Sequence, residues 1–297
     1  MAICRALLEH KVLTTRHLHI LFFRSLRRTQ HRLSELKEAG IVSSFEPRRL
    51  FGQGRCPEHH ILTELGAALL AHRMGVPRGD LPWVPDAAYA DNRNLAHRMG
   101  TNAFFCALVE ASRDMEGHCL QRWAPERKVG TDAGKIQPDG FGRYLHPGGA
   151  CQFYLEYDRG TEGPHALTDK IEGYLAFASG WADDAAFPNV LVVVPDTLRE
   201  RAVAIALAAA TGRSRHPSGV AVYATSEELL TASGVLGAVW LAPGAEGDRL
   251  RLTELPAVDA SPYDRGRCLG KPWTSPGASS RIFPLSATPR FPTRPEP

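Results

Sequence analysis

From residue 93 onward the hydrophobic pattern switches period repeatedly, and the order of the switches restricts the fold more than any other feature of the chain. "NLAHRMGTNAFFCALVEASRD" has helical spacing, and "CLQRWAPERK", "KIQPDGFGRYL" and "CQFYLEYDRG" read as three strands. "PHALTDKIEGYLAFASG" is helical again. "NVLVVVPD" is a short, wholly apolar strand of the kind buried on both faces. "TLRERAVAIALAAATG" is a helix, "GVAVYATS" a strand, "EELLTAS" a short helix and "GAVWLAPG" a last edge strand. The order α-β-β-β-α-β-α-β predicts an α/β domain over residues 93–245, with a three-stranded antiparallel start followed by a parallel crossover.

The N-terminal part follows another plan. "AICRALLEH" and "TTRHLHILFF" are helical, with Thr14 or Thr15 as N-cap. In "RSLRRTQHRLSELKEAGIV", Leu26, Leu33 and Leu36 share one side and Gly40 is placed to end the helix. Its other face carries Arg24, Arg27, Arg28, His31 and Arg32. "IVSSFEPRRLFGQGRCPEHHILT" reads as a hairpin whose tip holds Arg48 and Arg49, and "TELGAALLAHRMG" closes the unit as a helix. Helix, helix, basic helix, hairpin, helix is the order of a winged helix-turn-helix, expected over residues 1–75. Arginines on a helix face and on a hairpin tip can both reach a duplex backbone, which makes Arg24, Arg27, Arg28, Arg32, Arg48 and Arg49 the candidate DNA contacts. Charge agrees: residues 1–75 hold twelve Lys/Arg against six Asp/Glu, while the rest of the chain has a small acidic excess.

Residues 76–92 are rich in proline and glycine and read as a linker that packs through Trp83. Nine of the 22 prolines lie in the last 42 residues, so 256–297 reads as a disordered Pro-rich tail whose removal leaves stability unchanged. Six cysteines without paired spacing point to reduced thiols in a cytoplasm. No run of eighteen apolar residues predicts a membrane span, and the charged N-terminus does not read as a secretory signal.

Carboxylates mark the candidate chemistry. Glu156 and Asp158 stand two apart in a strand and therefore share a face. Asp139 comes near Glu156 if 136–145 and 151–159 pair as a hairpin. Three hard oxygen donors gathered in this way suit Mg²⁺, which takes one or two carboxylates and keeps several waters. The structural alternative pairs the same carboxylates with arginines such as Arg143 or Arg159. Glu110, on the stripe Met99, Ala103, Cys106, Glu110, and Glu126 in "APERK" are further acidic candidates. The histidines of "CPEHH" and those at 17 and 19 fit no zinc spacing and read as solvent-facing. P-loop, dinucleotide and nucleophile-elbow motifs are absent from the sequence.

"PDG", then "FYLEYD" in the next strand, then a helix, resembles the core of the PD-(D/E)xK nuclease superfamily, whose order α-β-β-β-α-β matches residues 93–195. The resemblance implies a restriction-endonuclease-like fold in which Asp139 and Glu156 bind the metal and a lysine positions the attacking water. Asp158 stands where that motif has its lysine, and the resemblance shifts the catalytic role to Lys170 in "TDKIEGY" on the following helix. Over roughly residues 5–200 the chain also resembles the replication-relaxation family of plasmids and integrative elements. "EYDRGTE", Glu156 to Glu162, is the most specific part of that likeness, which continues with Lys170 and Tyr174 on the next helix. It implies a role in plasmid replication, DNA relaxation or mobilisation. Joined to the winged helix, the nuclease-like core and the reduced cysteines, it gives the reading of a cytoplasmic protein that binds double-stranded DNA and nicks or cleaves it with Mg²⁺. The competing class is a regulator whose nuclease-like domain forms a homodimer or contacts replication or conjugation proteins.

Overall fold

The computed structural model describes residues 1–47, 56–85, 95–126, 136–160, 164–178, 187–213, 220–242, 244–245, 247–258 and 268–269. The chain is a mixed α/β protein that divides into two compact units, Met1–Cys106 and Ala107–Pro297.

The first unit runs α1 (Ala2–His10), β1 (Leu13–Thr14), α2 (Thr15–Phe22), α3 (Leu26–Glu38), β2 (Val42–Phe45), β3 (His59–Leu62) and α4 (Glu64–Met74). The helix α5 (Leu95–Ala111) begins in this unit and ends in the second. Side-chain oxygens start three of the helices: Thr14 accepts from His17 N, Ser25 from Arg28 N and Thr63 from Gly66 N. Gly40 ends α3 at φ 67°. Its amide bonds Lys37 O and the next amide, Ile41 N, reaches back to Leu36 O, the paired closure that favours glycine at this position.

The sheet is antiparallel in the order β1-β3-β2. Its first strand was not expected, because two residues carry no readable alternation. Leu7, Leu13, Leu18, Leu33 and Leu70 are buried in this unit. Two expectations fail here. Leu26 is 49% exposed and Thr29 takes the inward position, its hydroxyl donating to Ser25 O at 3.0 Å. His17, His59 and His60 are buried rather than solvent-facing. His60 Nε2 lies 2.8 Å from Thr15 Oγ1, which gives that ring nitrogen a partner within the fold. Glu58 gathers Lys37 Nζ at 2.6 Å and Ser44 Oγ at 2.7 Å, tying the end of α3 to the hairpin. In the expected linker, the Trp83 indole donates to Leu62 O at 2.6 Å and stacks under Arg78.

The second unit contains β4 (Cys119–Pro125), β5 (Gly140–His146), β6 (Gly149–Tyr157), α6 (Pro164–Ala178), β7 (Asn189–Val194), α7 (Thr197–Arg213), β8 (Val222–Ser226), α8 (Glu227–Ser233), β9 (Trp240–Leu241) and β10 (Arg249–Leu250). They form one seven-stranded sheet in the order β4-β5-β6-β7-β8-β9-β10. The strands β4 to β6 are antiparallel, and β6, β7 and β8 are parallel, as the order of periods predicts. The apolar run at 190–194 is fully buried in the middle of the sheet. One face packs Phe141, Tyr154, Val190 and Val192 against Leu167, Ile171 and Tyr174 of α6 and Val203 and Leu207 of α7.

The C-terminal end of this unit corrects the sequence reading. The strand β9 is not the edge, since β10 pairs outside it. Arg249 holds β10 in place by donating to both oxygens of the fully buried Glu200, at 2.8 and 2.6 Å. Val258, at the start of the expected tail, pairs with Ala150 through reciprocal hydrogen bonds of 2.8 and 3.0 Å. Gly149 permits this approach: a Cβ there would lie 2.8 Å from Val258 O, at a backbone φ of 135°. Cys268 forms a disulfide with Cys119 across 149 residues of sequence, so these two cysteines are not the free thiols expected. Cys4, Cys56, Cys106 and Cys151 are free. The remaining tail residues, 259–267 and 270–297, lie outside the described residues. No helix among the described residues is long and apolar enough to cross a membrane.

Candidate active site

The register of β5 with β6 pairs Gly140 with Leu155, so the next step along both strands sets Asp139 opposite Glu156. Backbone bonds fix the position. Asp139 N donates to Leu155 O at 2.9 Å, and Asp139 Oδ2 accepts from Tyr157 N at 2.7 Å. The hairpin thus brings together the two carboxylates that the sequence leaves 17 residues apart.

Glu156 is 2% exposed, and both of its oxygens have partners on α6. Tyr174 OH donates to Oε1 at 2.6 Å, and Lys170 Nζ lies 3.3 Å from Oε2. The two donors are four residues apart and share one helix face. Burial pushes the Glu156 carboxyl up to about 7, and the neighbouring Asp139 charge adds to the rise, while Lys170 and Tyr174 oppose it. Burial and the Glu156 charge raise the Tyr174 phenol well above its ordinary value, so it keeps its proton and donates. The Lys170 side chain is 42% exposed and meets solvent while its ammonium reaches inward.

Asp158 lies on the same face but turns to a different partner. It follows β6, with its amide bonded to Val193 O at 2.8 Å. Arg199 of α7 donates through Nε and Nη2 to Asp158 Oδ2 at 3.0 and 2.8 Å, and Gly160 N donates to Oδ1 at 2.8 Å. Its carboxylate is therefore saturated by the fold. Arg143, one of the arginines considered for this pairing, instead donates to Gln121 Oε1 at 2.8 Å. Glu110 and Glu126 are exposed, Glu110 because Phe105, Leu108 and Val109 form the inward face of α5 at that point. Among the described residues, no three His, Cys, Asp or Glu side chains are grouped so as to hold a metal ion.

The replication-relaxation family model matches residues 5–190, more than half of the chain. The chain belongs to the replication-relaxation family. No curated protein and no solved structure matches it. The family span contains Asp139, Glu156, Asp158 and Lys170 and ends before Arg199. The Asp158–Arg199 pair therefore joins a residue inside the matched span to one beyond it.

The basic candidates of the first unit fall on one helix surface. Arg27, Arg28 and Arg32 are exposed on α3, and Arg24 is exposed just before it. Arg32 donates to Glu35 at 2.7 Å across one turn, a solvent-facing pair. Arg48 and Arg49 lie outside the described residues. The sequence reading missed the roles of Tyr174 and Arg199. The four-residue spacing of Lys170 and Tyr174 was a usable signal for the first. Nothing local marks Arg199 as the partner of a residue 41 positions earlier.

Proposed function

We propose that this is a cytoplasmic DNA-binding protein of a plasmid or mobile element, acting in replication, relaxation or mobilisation through a nuclease-like second domain. Family membership supports the general role. The order α1-β1-α2-α3-β2-β3, with arginines exposed on α3, supports reading residues 1–75 as a winged helix on double-stranded DNA. The order α5-β4-β5-β6-α6-β7 supports a PD-(D/E)xK-like core.

The observation that carries the nuclease reading is the opposed Asp139–Glu156 pair with Lys170 at 3.3 Å. Asp139 and the buried Glu156, whose ionisation burial and the Asp139 charge oppose, form an adjacent carboxylate donor set that suits Mg²⁺, so the two would hold the ion. When bound, Mg²⁺ supplies an acidified water and charge neutralisation at a phosphodiester. The chain's own groups do the rest. Tyr174 fixes Glu156 Oε1 and with it the plane of the carboxylate. Lys170, on an exposed stem, brings a cation to Oε2 and to any anion arriving there. Asp158 braces the end of β6 through Arg199.

One observation favours the non-catalytic alternative, a winged-helix regulator whose second domain makes protein contacts or a homodimer. Both Glu156 oxygens are already engaged by Tyr174 and Lys170, as in a structural ion pair. Supercoiled plasmid incubated with the full chain separates the two readings. The nuclease reading expects nicked circles with Mg²⁺, and none from Asp139→Asn, Glu156→Gln or Lys170→Ala. A wild-type protein that leaves plasmid intact in Mg²⁺ and Mn²⁺, or variants that nick as well as wild type, would overturn it.

A further inference from the structure

Cys119, Leu145 and Ala150 are register partners on β4, β5 and β6, so they form one row across the end of the sheet and share a face. The chain meets this row again at Val258 and at Cys268, and the five residues make one small apolar cluster. Val258 is held to Ala150 by reciprocal backbone hydrogen bonds. Cys268 is held to Cys119 by the disulfide, and the next amide, Leu269 N, donates to Leu120 O at 2.9 Å. The strand β4 is the outermost of the sheet, so Leu269 covers the start of an edge that would otherwise offer its backbone to another chain.

The two attachments differ in chemistry. Hydrogen bonds make the first, and the state of the thiols does not touch it. The second contains a covalent bond that thiols can open. Access to that bond is one-sided: Cys119 is 2% exposed, whereas Cys268 is half-buried. An attacking thiolate therefore reaches Cys268 Sγ. Cys151, the free cysteine of this unit, does not compete. It follows Ala150 and so points to the opposite face of the sheet, and burial pushes its thiol up to about 12.

We propose that Cys119–Cys268 is a thiol–disulfide switch that fastens residues 268–269 to the edge of β4 when oxidised and releases them when reduced. The reductant is a dithiol, and a small disulfide is the oxidant for the return. One thiolate of the dithiol bonds Cys268 Sγ, the Cys119–Cys268 bond breaks, and the electron pair leaves on Cys119 Sγ, which takes up a proton. The second thiolate of the dithiol then attacks the first and expels Cys268, which is protonated in turn. The chain gains two electrons and two protons, and the dithiol closes to its own disulfide. With Val258 still on Ala150, Cys268 stays ten residues from a fixed point. Its return to Cys119 is intramolecular, at a high effective concentration, which makes the switch reversible. Disulfides in a reducing compartment are mostly transient or sensing, so the switch agrees with the cytoplasmic reading without depending on it. It is also independent of the carboxylates, because Asp139 is six residues from Leu145, about 20 Å along the strand.

The test uses the full chain, equilibrated without denaturant in oxidised glutathione or in dithiothreitol, then acid-quenched and alkylated. Mass spectrometry should count two fewer free thiols in the oxidised sample, and a peptide map should join Cys119 to Cys268. Returning the reduced protein to oxidised glutathione should restore the same pair. Hydrogen exchange reads the release. The peptide ending at Leu269 should exchange about tenfold faster after reduction, residues 119–125 should follow in the same direction, and 189–194 in the middle of the sheet should not change. Cys268→Ser should exchange like the reduced wild type in both buffers. Equal thiol counts in the two buffers overturn the switch, whether the bond never forms or opens only in denaturant. A pair mapped to other cysteines overturns it as well. So does unchanged exchange at Leu269 on opening, which would make the bond a passive cross-link. If Cys268→Ser does not fold, the two states of the wild type decide alone.

Discussion

Replacing Glu156 with Gln should stabilise the protein at alkaline pH and do little at pH 5. Glu156 titrates near 7 in the fold against 4.5 for an unconstrained glutamate, because it is buried and faces Asp139. Its folded value is raised, so the fold favours the protonated form. The associated stability is fully present below pH 4.5 and is lost as pH rises through 7. At about 1.4 kcal/mol per pH unit, the ionised side chain costs the fold about 3 kcal/mol at pH 8. Glutamine removes that cost and keeps an oxygen to accept from Tyr174 OH. It forfeits the Lys170 contact, but that lysine is 42% exposed, so the loss is about 1 kcal/mol or less. The remaining gain of about 2 kcal/mol corresponds to a rise in melting temperature of about 4–8 °C for a unit of this size. Differential scanning fluorimetry of wild type and Glu156→Gln from pH 5 to 8.5 reads it directly. The curves should lie close together near pH 5, diverge between pH 5 and 7 and run parallel above that. Mg²⁺ should narrow the gap at pH 8 by stabilising the wild type alone. A variant destabilised equally at pH 5 and pH 8 would show that the Lys170–Glu156 pair supports the fold, and would refute the reasoning.

Asp158→Asn should cost about 3 kcal/mol in urea unfolding with no dependence on Mg²⁺, because it leaves the half-buried Arg199 without its carboxylate; an Mg²⁺ response lost in this variant would instead make Asp158 a ligand. His17 titrates near 4 in the fold, held down first by burial and then by His59. Its folded value is depressed below 6.5, so its stability is present above pH 6.5 and is lost as pH falls towards 4, by up to about 3 kcal/mol; a urea midpoint that stays flat over that window would contradict this. Arg27→Ala, Arg28→Ala and Arg32→Ala together should lower the salt slope of duplex binding by two to three units, at about 0.9 per contact, as seen by anisotropy; an unchanged slope would remove α3 from the duplex. Deleting residues 257–297 should lower the melting temperature by several degrees, since it removes Val258 and a disulfide of the kind that contributes about 2–4 kcal/mol; an unchanged melt would return those residues to a passive tail.

Much of the fold was legible because its elements carry strong local patterns. The helices α1, α3, α5 and α6, the valine run of β7 and the hairpin of β5 and β6 all announce themselves through period and through Gly or Pro boundaries. What escaped has no local pattern to read. The strands β1 and β10 are two residues long, and each exists only because a neighbour offers it a partner. The pairing of Val258 with Ala150 and the Cys119–Cys268 bond depend on where the sheet ends, which only the assembled fold decides. Residues 256–258 therefore sit in a proline-rich stretch that reads as unstructured while contributing to the second unit. The histidines at 59 and 60 failed for the opposite reason. Polar composition predicted exposure, yet the narrow strand β3 has neighbours on both sides and buries both.

The carboxylates show where sequence reasoning stops. Period two put Glu156 and Asp158 on one face, and the structure keeps them there. It could not say what covers that face. The answer depends on two helices separated by a strand: α6 lies over Glu156 and supplies Lys170 and Tyr174, while α7 reaches Asp158 with Arg199. The two partners impose opposite electrostatics on neighbouring carboxylates. Asp158 meets a planar cation that saturates it with two charge-assisted hydrogen bonds. Glu156 meets a phenol and a partly solvated ammonium, and faces another carboxylate across the hairpin. That imbalance leaves Glu156 poised near 7 while its neighbour is committed to the fold. A further cation, whether Mg²⁺ or the lysine moving closer, has something to gain only at Glu156. A purely structural pairing of Glu156 with Lys170 and Tyr174 instead expects the glutamine variant to be destabilised at both ends of the pH range. The pH dependence of Glu156→Gln therefore tests the assignment of function as well as the electrostatics of one side chain.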